Sequence, residues 1–237
     1  MKHRRIGFWY RFVVVIVKPL LLVFTSRDWR GVDNIPRRGG IIVAANHISI
    51  VDPMIIGHFL YDNGRLPRFL AKSTLFTAPV IGRICRGAKQ IPVHRGTADA
   101  AAALTAAVEA LESGECVLIY PEGTATRDPH TWPMVARTGV ARLALTSGVP
   151  VIPVAQWGAQ EILPYPTKRP HLRRTKVHML AGPPVDLSRF EGKEQTAEIL
   201  REATDEVMHR ITEQLEQLRK ARATSPPYDP RRQGEAA

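Results

Sequence analysis

Short apolar runs that alternate with helix-periodic stretches are what most constrain the fold of this chain. Ile41-Ile42-Val43-Ala44-Ala45 and Cys116-Val117-Leu118-Ile119 are strand-like runs, and 68–72, 88–93, 149–154 and 175–181 read as further strands. Between them, 97–112 is alanine-rich with apolar residues at helical spacing and stops at Gly114. The stretch 135–146 reads as a helix that stops at Gly148, and 194–222 as a long amphipathic helix. Asp52-Pro53 reads as a helix start, with Asp52 as N-cap and Pro53 at the first helical position. The segment 73–87 reads as a broken helix with Pro79 at its turn. Alternation of this kind calls for an α/β domain. Pro150 and Pro153 argue that the strand at 149–154 lies at an edge or a bulge.

A chain of 237 residues can bury one substantial core. The expected division is a membrane-interacting helix at 1–28, one domain at 29–222, and a disordered tail at 223–237, where Pro, Arg, Gly and Ala dominate. The formal charge of +11 calls for an anionic partner: nucleic acid, an acidic membrane surface or a phosphorylated substrate. Basic residues crowd the first forty positions against only Asp28 and Asp33, and they flank an apolar segment, 6–24, that contains Phe8, Trp9 and Tyr10. A spanning helix needs about 20 largely uncharged apolar residues. This segment carries Arg11, Lys18 and Pro19, a helix breaker.

The reading is therefore an interfacial anchor, with aromatics at headgroup depth and basic side chains reaching anionic lipid. A helix buried against the domain is the alternative. Residues 25–29 fit poorly as a signal-peptide cleavage site. The basic residues sit beside apolar aromatics and no nucleic-acid-binding module is recognisable, so nucleic acid is not the expected partner. Cys85 and Cys116 have neither CxxC spacing nor nearby histidine clusters, which points to no disulfide framework and no metal site. The expected setting is the cytoplasmic face of the cell membrane.

Chemistry concentrates in two loops that follow strand-like runs. The first, Asn46-His47-Ile48-Ser49-Ile50-Val51-Asp52-Pro53, pairs an imidazole with a carboxylate. On a continuous helix the two side chains would lie about 140° apart and would not meet. They meet if His47 sits in the strand-to-helix turn and Asp52 folds back; Asp52 then fixes the tautomer and leaves the second ring nitrogen to take a proton from a hydroxyl. A plain helix cap and a loop histidine remain the simpler roles. The second loop, Tyr120-Pro121-Glu122-Gly123-Thr124-Ala125-Thr126-Arg127, supplies backbone amides free to approach an anion at Gly123 and a hydroxyl donor at Thr124. Glu122 could orient a substrate hydroxyl, and a purely geometric turn is the alternative. Arg95, just past the strand at 88–93, suits a bidentate clamp on phosphate, and Lys72 could add a second charge; solvated surface cations are the plainer reading. No G-x-S-x-G elbow, Walker loop or dinucleotide fingerprint occurs, so direct transfer to a deprotonated hydroxyl is the simplest scheme.

Taken in order, Asn46-His47-x-x-x-x-Asp52, Ile91-Pro92-Val93-x-Arg95, Pro121-Glu122-Gly123-Thr124 and Val149-Pro150-Val151-Ile152-Pro153-Val154 resemble the four blocks of the PlsC-like glycerolipid acyltransferases. The resemblance covers 29–184. It implies a largely parallel mixed sheet wrapped by helices, and an apolar acyl tunnel opening toward the bilayer. It also implies that His47 is the base, that Asp52 orients it, and that the hydroxyl of lysophosphatidate or of glycerol 3-phosphate attacks a thioester. The donor would be acyl-CoA or acyl carrier protein, with no cofactor. Arg95, Glu122 and Gly123 would hold the glycerol phosphate, with Lys72 as a further phosphate partner. The family's third block commonly continues Gly-Thr-Arg-Ser, whereas here Ala125-Thr126 follow Thr124, and Arg127 would substitute for the missing arginine. Ile50 stands where the family often has an aromatic residue, which bears on the acyl pocket. A non-catalytic lipid-binding protein is the reading from another class, and an intact His47/Asp52 pair argues against it.

Overall fold

The computed structural model describes residues 7–94, 100–166, 169–171 and 173–230. Its strands are β1 (Thr25–Arg30), β2 (Ile41–Ala45), β3 (Pro67–Lys72), β4 (Ile91–Val93), β5 (Cys116–Ile119), β6 (Val151–Trp157) and β7 (Thr175–Ala181). They form one sheet in the order β1-β7-β6-β2-β5-β3-β4. From β6 to β4 all neighbours are parallel; β7 runs antiparallel to β6, and β1 runs parallel to β7. The helices are α1 (Phe8–Phe24), α2 (Asp52–Asp62), α3 (Thr74–Thr77), α4 (Ile81–Gly87), α5 (Ala100–Glu112), α6 (Gly139–Ser147), α7 (Ala159–Ile162) and α8 (Ala197–Arg219). This is the expected α/β class with a largely parallel mixed sheet.

The apolar runs became central strands because both of their faces are covered. On β2, Ile42 and Ala44 join a core with Ala107 of α5, Leu143 of α6 and Val207 of α8. Ile41, Val43 and Ala45 join a second core on the opposite face with Ile55, Ile56 and Phe59 of α2. Cys116 belongs to this packing, and burial pushes its thiol up to about 12. It is inert packing, not a nucleophile.

Three local expectations change. First, β6 lies in the middle of the sheet despite Pro153. The Pro153 carbonyl accepts the Gly182 N–H at 2.9 Å on the β7 side, so its missing N–H falls there too, just beyond the β6–β7 register that begins at Val154–Ala181. Second, the polar segment Thr25–Arg30 forms an unforeseen edge strand. Asp28 accepts hydrogen bonds from Arg30 at 2.6 Å and from His178 of β7 at 2.9 Å, and the Arg30 bond holds its carboxyl at about 2. Third, α6 starts only at Gly139, because 134–137 is an extended strap that bonds to other segments. Residues 223–230, in the stretch expected to be a disordered tail, run beside that strap, where the Tyr228 carbonyl accepts the Val135 N–H at 2.9 Å. Residues 231–237 lie outside the described residues.

Helix α1 continues through Pro19, which sits on its exposed side, so proline does not end the helix as expected. Its 17 residues bury no side chain fully, and at 1.5 Å per residue they extend about 25 Å. Among the described residues no helix is long and apolar enough to cross a membrane. Asp62, at the end of α2, fastens α1 and β1 to the domain by accepting from Lys18 at 2.6 Å and Arg27 at 3.2 Å.

Gly31 joins β1 to the next turn at φ +67, and a Cβ placed there would collide with the Ala181 carbonyl oxygen of β7. Gly31→Ala is expected to cost about 2–4 kcal/mol, combining left-handed strain with a backbone clash. Equilibrium denaturation checks this.

Candidate active site

Parallel strands bring their carboxyl ends to one edge of the sheet, and loops leaving those ends meet there. β2 ends one residue before Asn46, β5 before Tyr120, and β3 at Lys72. Asn46 and Gln156 lock the first of these ends to β6. The Asn46 amide donates to the Gln156 carbonyl at 3.1 Å, its Oδ1 accepts the Gln156 N–H at 2.8 Å, and Gln156 Nε2 donates to the Asn46 carbonyl at 2.6 Å. Both residues are buried. His47 therefore leaves a fixed point.

The structure brings His47 and Asp52 together in the turn between β2 and α2. Asp52 is the first residue of α2, not its cap, and its Oδ2 turns back over the loop. That one oxygen accepts from the Ile48 N–H at 2.6 Å and the Ser49 N–H at 2.8 Å, and it lies 2.7 Å from His47 Nδ1. An oxygen already accepting two amide hydrogens makes Nδ1 the donor, so the neutral imidazole keeps its lone pair on Nε2. His47 remains partly exposed and lines a cavity, while Asp52 is fully buried. Ser49 fixes the far side of the turn by donating to the Leu163 carbonyl at 2.7 Å.

The loop after β5 grips His47 by its backbone. Glu122 Oε1 accepts the His47 N–H at 2.8 Å, Glu122 Oε2 accepts the Met134 N–H at 2.9 Å, and the Thr126 N–H donates to the His47 carbonyl at 2.7 Å. Glu122 is buried, and burial lifts its carboxyl to about 8 against the pull of the Met134 and His47 amides. Glu122, expected to orient or hold the acceptor, has each oxygen on a backbone amide and braces His47. Gly123, at φ +78, closes the turn by donating to the Tyr120 carbonyl at 2.9 Å, a conformation natural to glycine alone.

Tyr120 has no role assigned by sequence. Its ring stacks on His47, with centroids 4.2 Å apart and planes 19° apart. Its hydroxyl is buried, and burial followed by the Asp52 charge raises it well above the usual phenol range, against a smaller opposing pull from Gln156. The stack limits rotation of the imidazole about the axis that the Asp52 bond leaves free.

The cavity measures about 1180 Å³ and is mostly apolar. Helix α1 forms one wall with Tyr10, Val13, Val14, Val17 and Leu21, and Met54, Leu75 and Leu104 are among the groups from the domain. At its polar end stand His47, Lys72, Gly123, Thr124 and Arg127. Lys72 is exposed and meets no carboxylate among the described residues. Arg95 lies outside the described residues; His94, beside it, lines the cavity. Among the described residues no cluster of three or more His, Cys, Asp or Glu side chains is placed to hold a metal.

Removing the brace tests its part in the fold. Glu122→Ala leaves the buried amides of His47 and Met134 without an acceptor and is expected to cost about 2–5 kcal/mol, measured by denaturant unfolding.

The profile of the acyltransferase family matches residues 26–157, more than half of the chain. An uncharacterized protein of Mycobacterium tuberculosis is 31% identical over 200 residues, which cover 75% of this chain and 53% of that protein. A protein of Borreliella burgdorferi named 1-acyl-sn-glycerol-3-phosphate acyltransferase is 33% identical over 125 residues, 52% of this chain and 48% of its own length. The chain spans about half the length of these curated relatives. The crystal structure of the 1-acyl-sn-glycerophosphate (LPA) acyltransferase PlsC from Thermotoga maritima superposes with a TM-score of 0.66 at 26% identity, covering 91% of this chain and 81% of that one. The His47–Asp52 loop, the Glu122 loop and strands β2 to β6 fall within residues 26–157, and the chain belongs to the PlsC-like acyltransferase family.

Proposed function

We propose that this protein transfers a fatty acyl group from a thioester donor, acyl-CoA or acyl carrier protein, to the free hydroxyl of lysophosphatidate. The observation that carries the reading is His47. Its Nδ1 is tied to Asp52, and the imidazole lines the polar end of a large apolar cavity. His47 Nε2 takes the proton of the acceptor hydroxyl, and the oxygen attacks the thioester carbonyl. The tetrahedral intermediate collapses with loss of the thiolate, which recovers the proton from His47. Asp52 stabilises the imidazolium formed on the way. The acyl chain occupies the apolar cavity, and Lys72, Arg127 and, by the family resemblance, Arg95 hold the acceptor phosphate. Thr124 lines the same cavity and offers its hydroxyl there, while the Gly123 N–H is already held by the Tyr120 carbonyl. The names of the Borreliella and Thermotoga proteins favour lysophosphatidate as acceptor.

The second face of α1 supports a membrane setting. While one row of the helix lines the cavity, Phe8, Val15, Leu20 and Val23 on other sides are each more than half exposed. A helix apolar all round is not finished by packing one face. Lipid covers the remaining face, and both acyl substrates then reach the cavity beside α1 without crossing water.

Labelled palmitoyl-CoA offered to the purified protein in detergent, with lysophosphatidate and glycerol 3-phosphate as parallel acceptors, tests the reaction. His47→Ala is expected to lower turnover by roughly 10²–10⁴-fold while the protein stays folded. A fully active variant would contradict the mechanism. In flotation with anionic phosphatidylglycerol vesicles, Val15→Asp with Val23→Asp is expected to leave most of the protein unbound, where the wild type floats with the lipid.

A further inference from the structure

Beyond the groups that face the acceptor, and Lys18, which is paired with Asp62, two more cations line the cavity. Arg137 precedes α6 and Arg142 lies on its first turns; both are exposed, and among the described residues neither guanidinium meets a carboxylate. No Asp or Glu occurs among the described residues that line the cavity. Exposed arginines are ordinarily solvated. Here the backbone that carries Arg137 is unusually constrained. Met134 N–H is held by Glu122 at 2.9 Å, Val135 N–H by the Tyr228 carbonyl at 2.9 Å, the Ala136 carbonyl by Arg201 at 2.7 Å, and Arg137 N–H by the Pro121 carbonyl at 2.9 Å. Four successive residues are thus fastened, Met134 and Arg137 to the loop that grips His47, Val135 to the C-terminal segment and Ala136 to α8. Such a mount fixes cations relative to the reacting atoms and lowers the ordering cost of binding.

We propose that Arg137 and Arg142 form a subsite for the phosphate groups of the acyl donor, separate from the acceptor phosphate site at Lys72. This rests on the acyl-transfer reading above. The acceptor carries one phosphate monoester, which Lys72, Arg127 and Arg95 suffice to neutralise. The donor brings further anionic phosphate: a diphosphate and a 3′-phosphate in CoA, or the phosphodiester of a carrier protein's pantetheine arm. Its thioester must sit at His47 while its acyl chain fills the cavity, so its phosphates emerge at the cavity rim. Arg137 is exposed and lines the cavity, its N–H bonded to the carbonyl of Pro121, the residue that follows the Tyr120 stacked on His47.

Steady-state kinetics on wild type and Arg137→Gln/Arg142→Gln, with acyl-CoA, acyl-carrier protein and acyl-pantetheine as donors, test this. In the variant, KM for a phosphate-bearing donor is expected to rise on the order of tenfold or more. KM for lysophosphatidate should stay put, and the wild type's preference for acyl-CoA over acyl-pantetheine should collapse. The arm that suffers names the phosphate source, CoA or carrier. Arg137→Lys/Arg142→Lys is expected to recover much of the loss, which misfolding would not allow. A rise in the acceptor KM alone, or no change in either, overturns the proposal. Calorimetric titration of CoA needs no turnover and separates the two claims. If the wild type transfers no acyl group but binds CoA through these arginines, the subsite stands and the reaction falls; CoA binding equal in wild type and variant, alongside an unchanged donor KM, removes the subsite and leaves the reaction.

Discussion

One buried oxygen organises the site. Asp52 Oδ2 collects His47 Nδ1 and the amides of Ile48 and Ser49 within 2.8 Å, in a position with no solvent exposure. A carboxylate so deep must be satisfied by the protein itself. The 47–52 loop does so for Oδ2 by wrapping around it, while Oδ1 is buried without a hydrogen-bond partner, and that wrapping sets the imidazole's direction and tautomer together. Catalytic geometry and folding are here the same set of bonds.

The rest of the domain supplies the rigidity this arrangement requires. The Asn46–Gln156 lock fixes where the loop leaves the sheet, Glu122 and Thr126 hold the His47 backbone from both sides, and Tyr120 limits the ring. Through Met134, Glu122 also reaches the strap at 134–137, which Arg201 of α8 and Tyr228 hold from behind. Elements far apart in sequence therefore converge on one histidine. Lys72, proposed to meet the acceptor phosphate, by contrast stands exposed at the cavity wall and meets no carboxylate among the described residues. The same division appears in α1, whose inner row completes the cavity and whose outer row is left without protein cover.

The central strands were legible because burial on both faces leaves continuous apolar runs, and the long helix at 197–219 because its period is unmistakable. Short polar β1 was not, since its pairing with β7 depends on residues 150 positions away. Pro153 misled for a related reason: proline tells that one N–H is missing, but only the register shows that β7 does not need it. At the site, His47 and Asp52 could be paired from sequence because the turn that joins them is local. Gln156 and the Met134 strap could not, because nothing near them in the chain encodes their partners. The brace that Glu122 makes to His47 and Met134 was not legible either, since a motif fixes which residues gather and leaves open which way a buried carboxyl group points.

Nitrogen-15 NMR of protein labelled at histidine observes the central bond directly. With Asp52 accepting from Nδ1, the neutral His47 ring is predicted to carry its proton on Nδ1, with Nε2 giving the shift of an unprotonated nitrogen, and Asp52→Asn should disturb that pattern. A His47 ring protonated on Nε2 at neutral pH, unaltered by Asp52→Asn, would contradict the account, because the nitrogen assigned to take the acceptor's proton would already hold one.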